Sequence, residues 1–597
     1  MNSFSLNIQN NWLIRILFAV LFLYLILRAL FVEPLLDELG TLHWYIETGN
    51  IINEKSILDA NNHILNSYVS HHLFRFVGDH LIVYRLLALI SFPIYFFSAK
   101  KLVTENIKQF PLIVFIALIS IHWVFDYFSL SRGYAPSVAF FMLGLSFVSA
   151  WNRENKPIHL AIILTSFVLS LGSNLSMFVP ILLFFAYLHL SLLMQWQKRQ
   201  LLSKITSYII SAGFIYIAYK LFKYVLKLKE AGALWWGSKK GLWEVTGKSV
   251  SENIFFTGAD YIKYGLLILY ILLIILLIKS LSEKGIKEFI LSPQFWSFSL
   301  FTLSLIGTFL LVKIMNLNYP EDRVAMYLVI LLIIAFGSIA TENRILSWSV
   351  LILLWFPLSF IVKLNLNTSV FSPTDRMHHS FYKDVQKMVG PNDVLTADYV
   401  SHLCYSYEAR KEGRPKMAVL NESEMLNGET YHLTSYYGKV KNWSNYTCVL
   451  FDSITKMRLY KSDATIKKTL LLDTIIKSIE SNELYLPLIE FQFLESNDFE
   501  MIRISINGNV DLPNGLLSLD LVQDVVDEDH NSLNYNSTLF QWYFGMKKSY
   551  SFNYSRNLNL EALKGKALKV YMYNPELINV NLSDYKINIV GINKVRH

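Results

Sequence analysis

The sequence predicts an α-helical polytopic membrane domain followed by a soluble domain, in which an α/β region precedes a β-sandwich-like region. Three observations carry that prediction. Hydrophobic residues make up 53% of the 597 and charged residues only 17%, a balance typical of membrane proteins. The apolar residues are gathered in blocks near the ~20 residues that a bilayer-crossing helix requires, and those blocks stop near Leu364. Beyond it, charged residues become regular and short runs alternate polar with apolar, the pattern of strands. The expected division is a membrane domain at 1–366, an α/β region at 367–484 and a β-rich region at 485–597.

Apolar runs at 12–32, 81–99, 110–125, 135–151, 157–172, 176–195, 205–222, 261–279, 294–313, 324–341 and 345–365 make about eleven spans. The first lacks a small-residue cleavage site and reads as a retained helix. An odd number of spans puts the two termini on opposite sides. Lys100, Lys101, Lys108, Arg153, Lys156, Lys198, Arg199, Lys204, Lys279, Lys284 and Lys287 all follow even-numbered spans, and clustered cations mark the cytoplasmic side. The first loop, 33–80, and the C-terminal domain then share the outer side. The expected location is a bacterial inner membrane with both facing the periplasm. The loop 223–260 departs from this rule, because Lys223, Lys227, Lys229, Lys239, Lys240 and Lys248 fall on the outer side.

The net charge of +8 is spread over short clusters between spans rather than along one basic stripe, which argues against a nucleic-acid partner. No phosphate-cradling glycine loop, zinc-type spacing or nucleophile elbow is present. The two cysteines, Cys404 and Cys448, both lie in the soluble region. In an oxidising compartment they are candidates for a disulfide, and sequence leaves the pairing open.

The loop from Glu33 to His80 carries more chemistry than a connector needs. It holds Asp37–Glu38, the carboxylates Glu33, Glu47, Asp59 and Asp79, and the histidines 43, 63, 71, 72 and 80. Ionisable groups near a bilayer are costly and tend to mark function. Within the loop, apolar residues recur at helical spacing over 37–49 and again over 61–76. Two short amphipathic helices on the membrane surface are expected, holding Asp37 just beyond span one.

Several further elements fall at span boundaries. Asn62–His63 stands before the second loop helix, Arg85 early in span two, and SRGYA at Ser131–Ala135 opens span four. LGSNLSMFVP at 171–180 joins two spans by a tight outer turn, and YPEDRVAMYLV at 319–329 places Arg323 at the start of a span. With the Asp–Glu pair after span one, this set resembles the GT-C class of multi-span glycosyltransferases, and within it the protein O-mannosyltransferase and aminoarabinose transferase branch. The resemblance covers about 1–365 and rests on the agreement of several weak signs.

The resemblance implies a sugar donor carried on a polyprenyl phosphate or diphosphate, a membrane lipid whose head group reaches the outer face. It leaves open whether a divalent metal ion is needed. Inverting transfer needs a base at the acceptor hydroxyl, and a partly desolvated carboxylate can serve. It also needs positive charge where the phosphate leaves. Asp37 is the expected base, with Glu38 beside it. Arg132 and Arg323 are the expected phosphate partners, with Lys313 and the lysines of 223–248 behind them, and His63, Asp126 and Arg85 complete the expected substrate contacts.

Each role has a plainer rival. Asp37 could cap the helix that follows, and Glu38 could be simply solvated. His63 could be structural, Arg323 could extend along an interface, and Asp126 could be a second acid or the partner of Arg132. His71 and His72 are adjacent on a helix and point about 100° apart, so they do not ligate one ion together. Trp235, Trp236 and Trp243 fit an interfacial aromatic belt.

In the tail, a helix is expected near 377–389, strand–turn–helix over VLTADYVSHLCYSYEARKEG, a strand at TCVLFDS, and a β-sandwich from about 485. Asn442, Asn445 and Asn553 head Asn-X-Ser/Thr sequences and are assigned no role. The expected acceptor is a protein hydroxyl presented beside the outer domain, by analogy alone. Two alternatives remain: a transporter or flippase of lipid-linked sugar, and a ligase or polymerase with a non-protein glycan acceptor. A transporter calls for ionisable residues near mid-membrane, whereas these cluster at the outer boundary.

Overall fold

The computed structural model describes residues 11–256, 260–370, 372–413, 415–420, 429–438, 445–493, 499–512, 519–545, 547–559 and 566–594. The chain forms two compact units. One comprises Met1–Val32, Gly49–Phe76 and His80–Phe371; the other comprises Glu33–Thr48, Val77–Asp79 and Ser372–His597. The loop 33–80 is thus divided, its first part belonging with the C-terminal region.

The first unit is helical, and the chain is an integral membrane protein. Among the described residues, 8 helices are long and apolar enough to cross a membrane, and up to 9 if a bent pair counts as one span. That pair, Pro111–Ile119 and His122–Ser129, is bent by 49°. At the break Ile121 leaves the helical conformation for an extended one, φ −62° and ψ 100°. Two further apolar helices, Pro157–Ser173 and Leu346–Val362, are shorter. The first has 17 residues, about 26 Å at 1.5 Å per residue, less than a ~30 Å hydrocarbon core. The apolar runs expected to make about eleven spans therefore comprise full spans, one broken span and two short helices.

The helix Leu201–Glu230 has 30 residues, about 45 Å, and outruns the bilayer. Lys223, Lys227 and Lys229, expected in a loop, lie on its last turns. Lys220 and Lys223 lay their ammonium groups over the Tyr216 and Tyr219 rings at 5.5 and 4.9 Å, as long cationic side chains do near a helix end. The remaining part of that expected loop contains the helical segments Trp243–Gly247 and Lys248–Phe255.

Two spans form the middle of the unit. Tyr134–Glu154 and Asp322–Ala340 are buried along most of their length, whereas Asp260–Glu283 is almost wholly exposed. Leu86–Asn106 and Pro157–Ser173 pack on the first of these, with Phe92 set edge-on to Phe125 and Phe128 at 5.5 and 5.3 Å. Each central span begins beside one of the two expected phosphate-binding arginines.

In the second unit, Leu36–Thr41 is α-helical and continues as a π-helical turn, Leu42–Ile46. The helix His379–Met388, the strand Leu395–Ala397, the helix Tyr399–Ala409 and the strand Tyr446–Phe451 stand where the periodicities place them. The strands here form a five-stranded mixed sheet in which Leu395–Ala397 pairs in parallel with Val419–Leu420 and Tyr431–Thr434.

Two four-stranded antiparallel sheets follow. One runs Ser532–Leu539, Asp520–Val526, Ala567–Tyr573, Tyr485–Gln492; the other runs Ser549–Asn559, Met501–Asp511, Val580–Lys594, Ile466–Ser481. They face one another: the Tyr554 hydroxyl of the second donates to Gln523 Oε1 of the first at 2.8 Å. The strand Ile466–Ser481 precedes the expected boundary at 485 and pairs along its length with Val580–Lys594. Cys404 is buried, Cys448 is exposed, and both are free thiols. Asn445 and Asn553 are described; Asn442 lies outside the described residues.

Candidate active site

In the membrane unit the organising contact is between the second loop helix and the turn before Tyr134. The helix Ile64–Val77 begins directly after Asn62–His63. Asn62 Nδ2 donates to the Ile51 carbonyl at 2.6 Å and to the Tyr224 hydroxyl at 3.2 Å, while its Oδ1 accepts from Ser67 at 3.0 Å. Its neighbour His63 is buried, and Nδ1–H donates to the Ser173 carbonyl at 2.9 Å. A carbonyl only accepts, so this contact sets the tautomer.

Gly133 lies against both groups. A Cβ there would overlap the Ser173 carbonyl oxygen and stand 2.7 Å from His63 Cβ, so only glycine admits this approach. Next to it, Tyr134 meets the His63 ring edge-on at 4.7 Å. Asn66, one turn into the loop helix, donates to Ser131 at 3.3 Å. Asn62–His63, SRGYA and the 171–180 turn, far apart in sequence, are thereby one contact set.

Two guanidinium groups flank Tyr134. Arg132 is buried, and its Cζ lies 5.6 Å from the Tyr134 ring centroid. Arg323 Nε donates to the Tyr134 hydroxyl at 3.2 Å, and its Cζ lies 4.9 Å from the Trp236 ring. Trp236, expected in an aromatic belt, is thus the platform on which Arg323 rests. The turn carrying Arg323 is tied to the 238–253 segment: Tyr319 N–H donates to the Ser238 carbonyl at 2.9 Å, Thr246 Oγ1 to the Pro320 carbonyl at 2.7 Å, and Asp322 N–H to Ser249 Oγ at 2.6 Å. Two cations on one phenol, both at span ends, suit an anionic group with several oxygens.

Asp126 and Arg85 serve other contacts. Asp126 is buried in an ion pair with Arg28 and accepts from Ser369 Oγ at 2.5 Å. Arg28 also donates to the carbonyls of Asn365 and Thr368 at 2.7 and 3.2 Å. Arg85 is fully buried and donates to the Ala29 and Val32 carbonyls at 3.0 and 2.8 Å, satisfying the last turn of the first span. Both arrangements fix where that span ends.

In the second unit, Leu35 is the N-cap of the helix Leu36–Thr41 and Asp37 is its second residue. The capping work falls to Glu38, buried, whose Oε2 accepts from the Leu35 N–H at 3.1 Å, one half of a capping box. Asp37 is only partly buried. Leu36 N–H donates to the Asp375 carbonyl at 2.7 Å, and Glu33 pairs with Arg376 at 2.5 Å. Burial pushes the Asp375 carboxyl above the usual carboxylate range, opposed by a hydrogen bond from Tyr437 and reinforced by the charge of Asp37.

The same segment is anchored by a buried ionic cluster. Arg410 pairs with Glu47, reaches Asp79 at 3.2 Å, and donates through Nε to the Trp542 carbonyl at 2.8 Å. His43 Nδ1 lies 3.0 Å from Glu47, and its ring stacks on Trp542 at 5.2 Å. Burial alone would raise the Glu47 carboxyl, but Arg410 and His43 outweigh it and hold it low. Tyr134 stands in the SRGYA motif but carried no expected role, and nothing in the local sequence points to Arg28, Asp375 or Arg410. Their partners lie far along the chain, and periodicity carries no such signal.

Among the described residues no group of three or more His, Cys, Asp or Glu is placed to hold a metal ion. His71 and His72 meet edge-on at 5.4 Å. No protein-family model and no curated protein matches the chain. Among solved structures, the chain is similar to the single-particle cryo-EM structure of arabinosyltransferase EmbB from Mycobacterium smegmatis, with a TM-score of 0.33 and 9% identity. That likeness covers 96% of this chain and 64% of the other.

Proposed function

We propose that this protein is an inverting membrane glycosyltransferase. It takes a sugar or oligosaccharide from a polyprenyl phosphate or diphosphate donor and passes it to an acceptor outside the cytoplasm, with a protein hydroxyl as the favoured acceptor. The observation that carries the reading is the pair Arg132 and Arg323 flanking Tyr134 at the starts of two buried spans. Two fixed guanidinium groups match a leaving phosphate, whose oxygen gains charge as the glycosidic bond breaks. His63, held in one tautomer, and Gly133 keep Tyr134 in place.

In this reading Asp37 removes the proton from the acceptor hydroxyl. The acceptor oxygen then bonds to the anomeric carbon from the face opposite the phosphate, and the bond between that carbon and the phosphate oxygen breaks. Asp37 suits the role because it stands, only partly buried, in the first turn of the helix Leu36–Thr41, whose start is capped by Glu38. Glu38 and Arg85 act as positioning residues, and Asp126 secures the end of span one through Arg28.

The test is glycan transfer in membranes from cells producing wild type, Arg132→Gln or Arg323→Gln at matched protein level. Each variant should lose on the order of 10²–10³-fold in transfer rate, the scale for removing one preorganised charge donor. Full transfer in both variants contradicts the phosphate assignment and favours a transporter.

A further inference from the structure

The span Tyr134–Glu154 has the Arg132–Tyr134 cluster at its start; its other end, about 30 Å along the helix, holds a second buried guanidinium. Arg199 lies in the link between the helices Phe178–Met194 and Leu201–Glu230 and is 5% exposed. Its Cζ sits 3.8 Å from the ring centroid of Trp151, which is fully buried. Nη1 donates to the Asn155 carbonyl at 3.3 Å, which also accepts from Ser203 Oγ at 3.3 Å.

Four polar atoms at this place are buried with no hydrogen-bond partner: Arg199 Nε and Nη2, the Trp151 indole nitrogen and Asn155 Oδ1. Among the described residues no carboxylate pairs with Arg199. Glu154, close in sequence, is taken by Lys156 at 3.0 Å, His159 at 3.1 Å and Arg153 at 3.5 Å. Burial alone pushes Arg199 down to about 10.

A buried cation with two idle donors, beside a third idle donor, is costly unless an anion completes it. Three N–H groups from a guanidinium fork and an indole match the oxygens of a phosphate. The Asn155 amide can turn its NH2 toward the same oxygens, since its oxygen and nitrogen are interchangeable by a flip. Lys101, Arg153, Lys156 and Lys204 add positive charge at this end of the helices. We infer that Arg199, Trp151 and Asn155 form a second phosphate-binding site, at the opposite end of the span from the Arg132–Arg323 cluster. The phosphate is that of an anionic phospholipid head group or free inorganic phosphate. This inference does not depend on the proposed transferase activity.

The test uses the full chain, purified and delipidated in detergent, with melting followed against added dioleoyl-phosphatidylglycerol, dioleoyl-phosphatidylcholine or inorganic phosphate. Phosphatidylglycerol should raise Tm and phosphatidylcholine should not. Trp151→Phe keeps an aromatic ring beneath the guanidinium while removing the N–H together with part of the indole, and should raise the lipid concentration for half the effect by about tenfold or more, the scale of one hydrogen bond to a charged group. Arg199→Gln should abolish the effect. A matching rise with inorganic phosphate supports the site with free phosphate as its ligand. If neither phosphate source raises the wild-type Tm, or if Trp151→Phe responds like wild type, the site is overturned.

Discussion

His63 donates its Nδ1 hydrogen to the Ser173 carbonyl at 2.9 Å directly over Gly133, so the loop helix, the end of Pro157–Ser173 and the turn before Tyr134 meet where a side chain is missing, and Asn66 adds a hydrogen bond to Ser131 at 3.3 Å. Gly133→Ala forces a methyl into that contact. The backbone carbonyl of Ser173 cannot swing aside as a flexible side chain would. The expected cost is about 1–3 kcal/mol or more, with loss of transfer because Tyr134 moves. Thermal unfolding in detergent and the transfer assay check it; a variant with wild-type Tm contradicts the packing described.

Asp126 is expected to be structural. Asp126→Asn leaves the buried Arg28 guanidinium without its counter-charge, and should cost about 3–5 kcal/mol. Transfer per folded molecule should stay near wild type. A stable Asp126→Asn protein with abolished transfer assigns Asp126 to the chemistry instead.

Arg410 should behave in the same way in the second unit. Arg410→Met takes the fixed cation from the buried Glu47 carboxylate and leaves it the His43 ring, again at about 3–5 kcal/mol, while Arg410→Met combined with Glu47→Gln should recover part of that loss. Equal destabilisation by single and double variants shows that the pair contributes packing rather than charge compensation.

Acid should loosen the second unit through its buried histidines. Burial pushes His402 and His432 down to about 4, and it also lowers His43. A histidine whose folded value lies below its unfolded 6.5 contributes stability that is present above pH 6.5. That contribution is lost as pH falls toward the folded value, because the unfolded chain then binds more protons. The scale is up to about 3 kcal/mol for each of His402 and His432. Glu47, held low, adds a further loss at more acidic pH. Tm should therefore fall between about pH 6.5 and 4, and less steeply in His402→Gln and His432→Asn; a flat profile contradicts the assignment.

The fold was legible where it is local. The span Asp322–Ala340, the loop helix Ile64–Val77 and the tail helix His379–Met388 follow from periodicity, since burial of one face needs only a regular spacing. The bend near Ser120 was not, because one residue, Ile121, leaves the helix inside an otherwise unbroken apolar run. Nor was the length of Leu201–Glu230, whose last two turns carry lysines that resemble a loop. At the candidate site, Arg132 and Arg323 stood out by their places at span starts and His63 by its place before the second loop helix. Tyr134 was visible as part of SRGYA, but its place between the two guanidinium groups was not, because Arg323 lies 189 residues away in sequence. The division of the first loop between two units rests on long-range partners such as Arg376 and Arg410, and no local pattern announces them.

The most direct measurement of the central claim is transfer by Asp37→Asn, which keeps the shape of the side chain and removes its basicity. Membranes from cells producing wild type or the variant, matched for protein, are assayed for glycan transfer with acceptors profiled by mass spectrometry. The account predicts a loss of about two to four orders of magnitude, the scale for removing a general base, with unchanged Tm. Transfer at the wild-type rate contradicts it, leaving Asp37 as a first-turn helix residue and the protein without its proposed base.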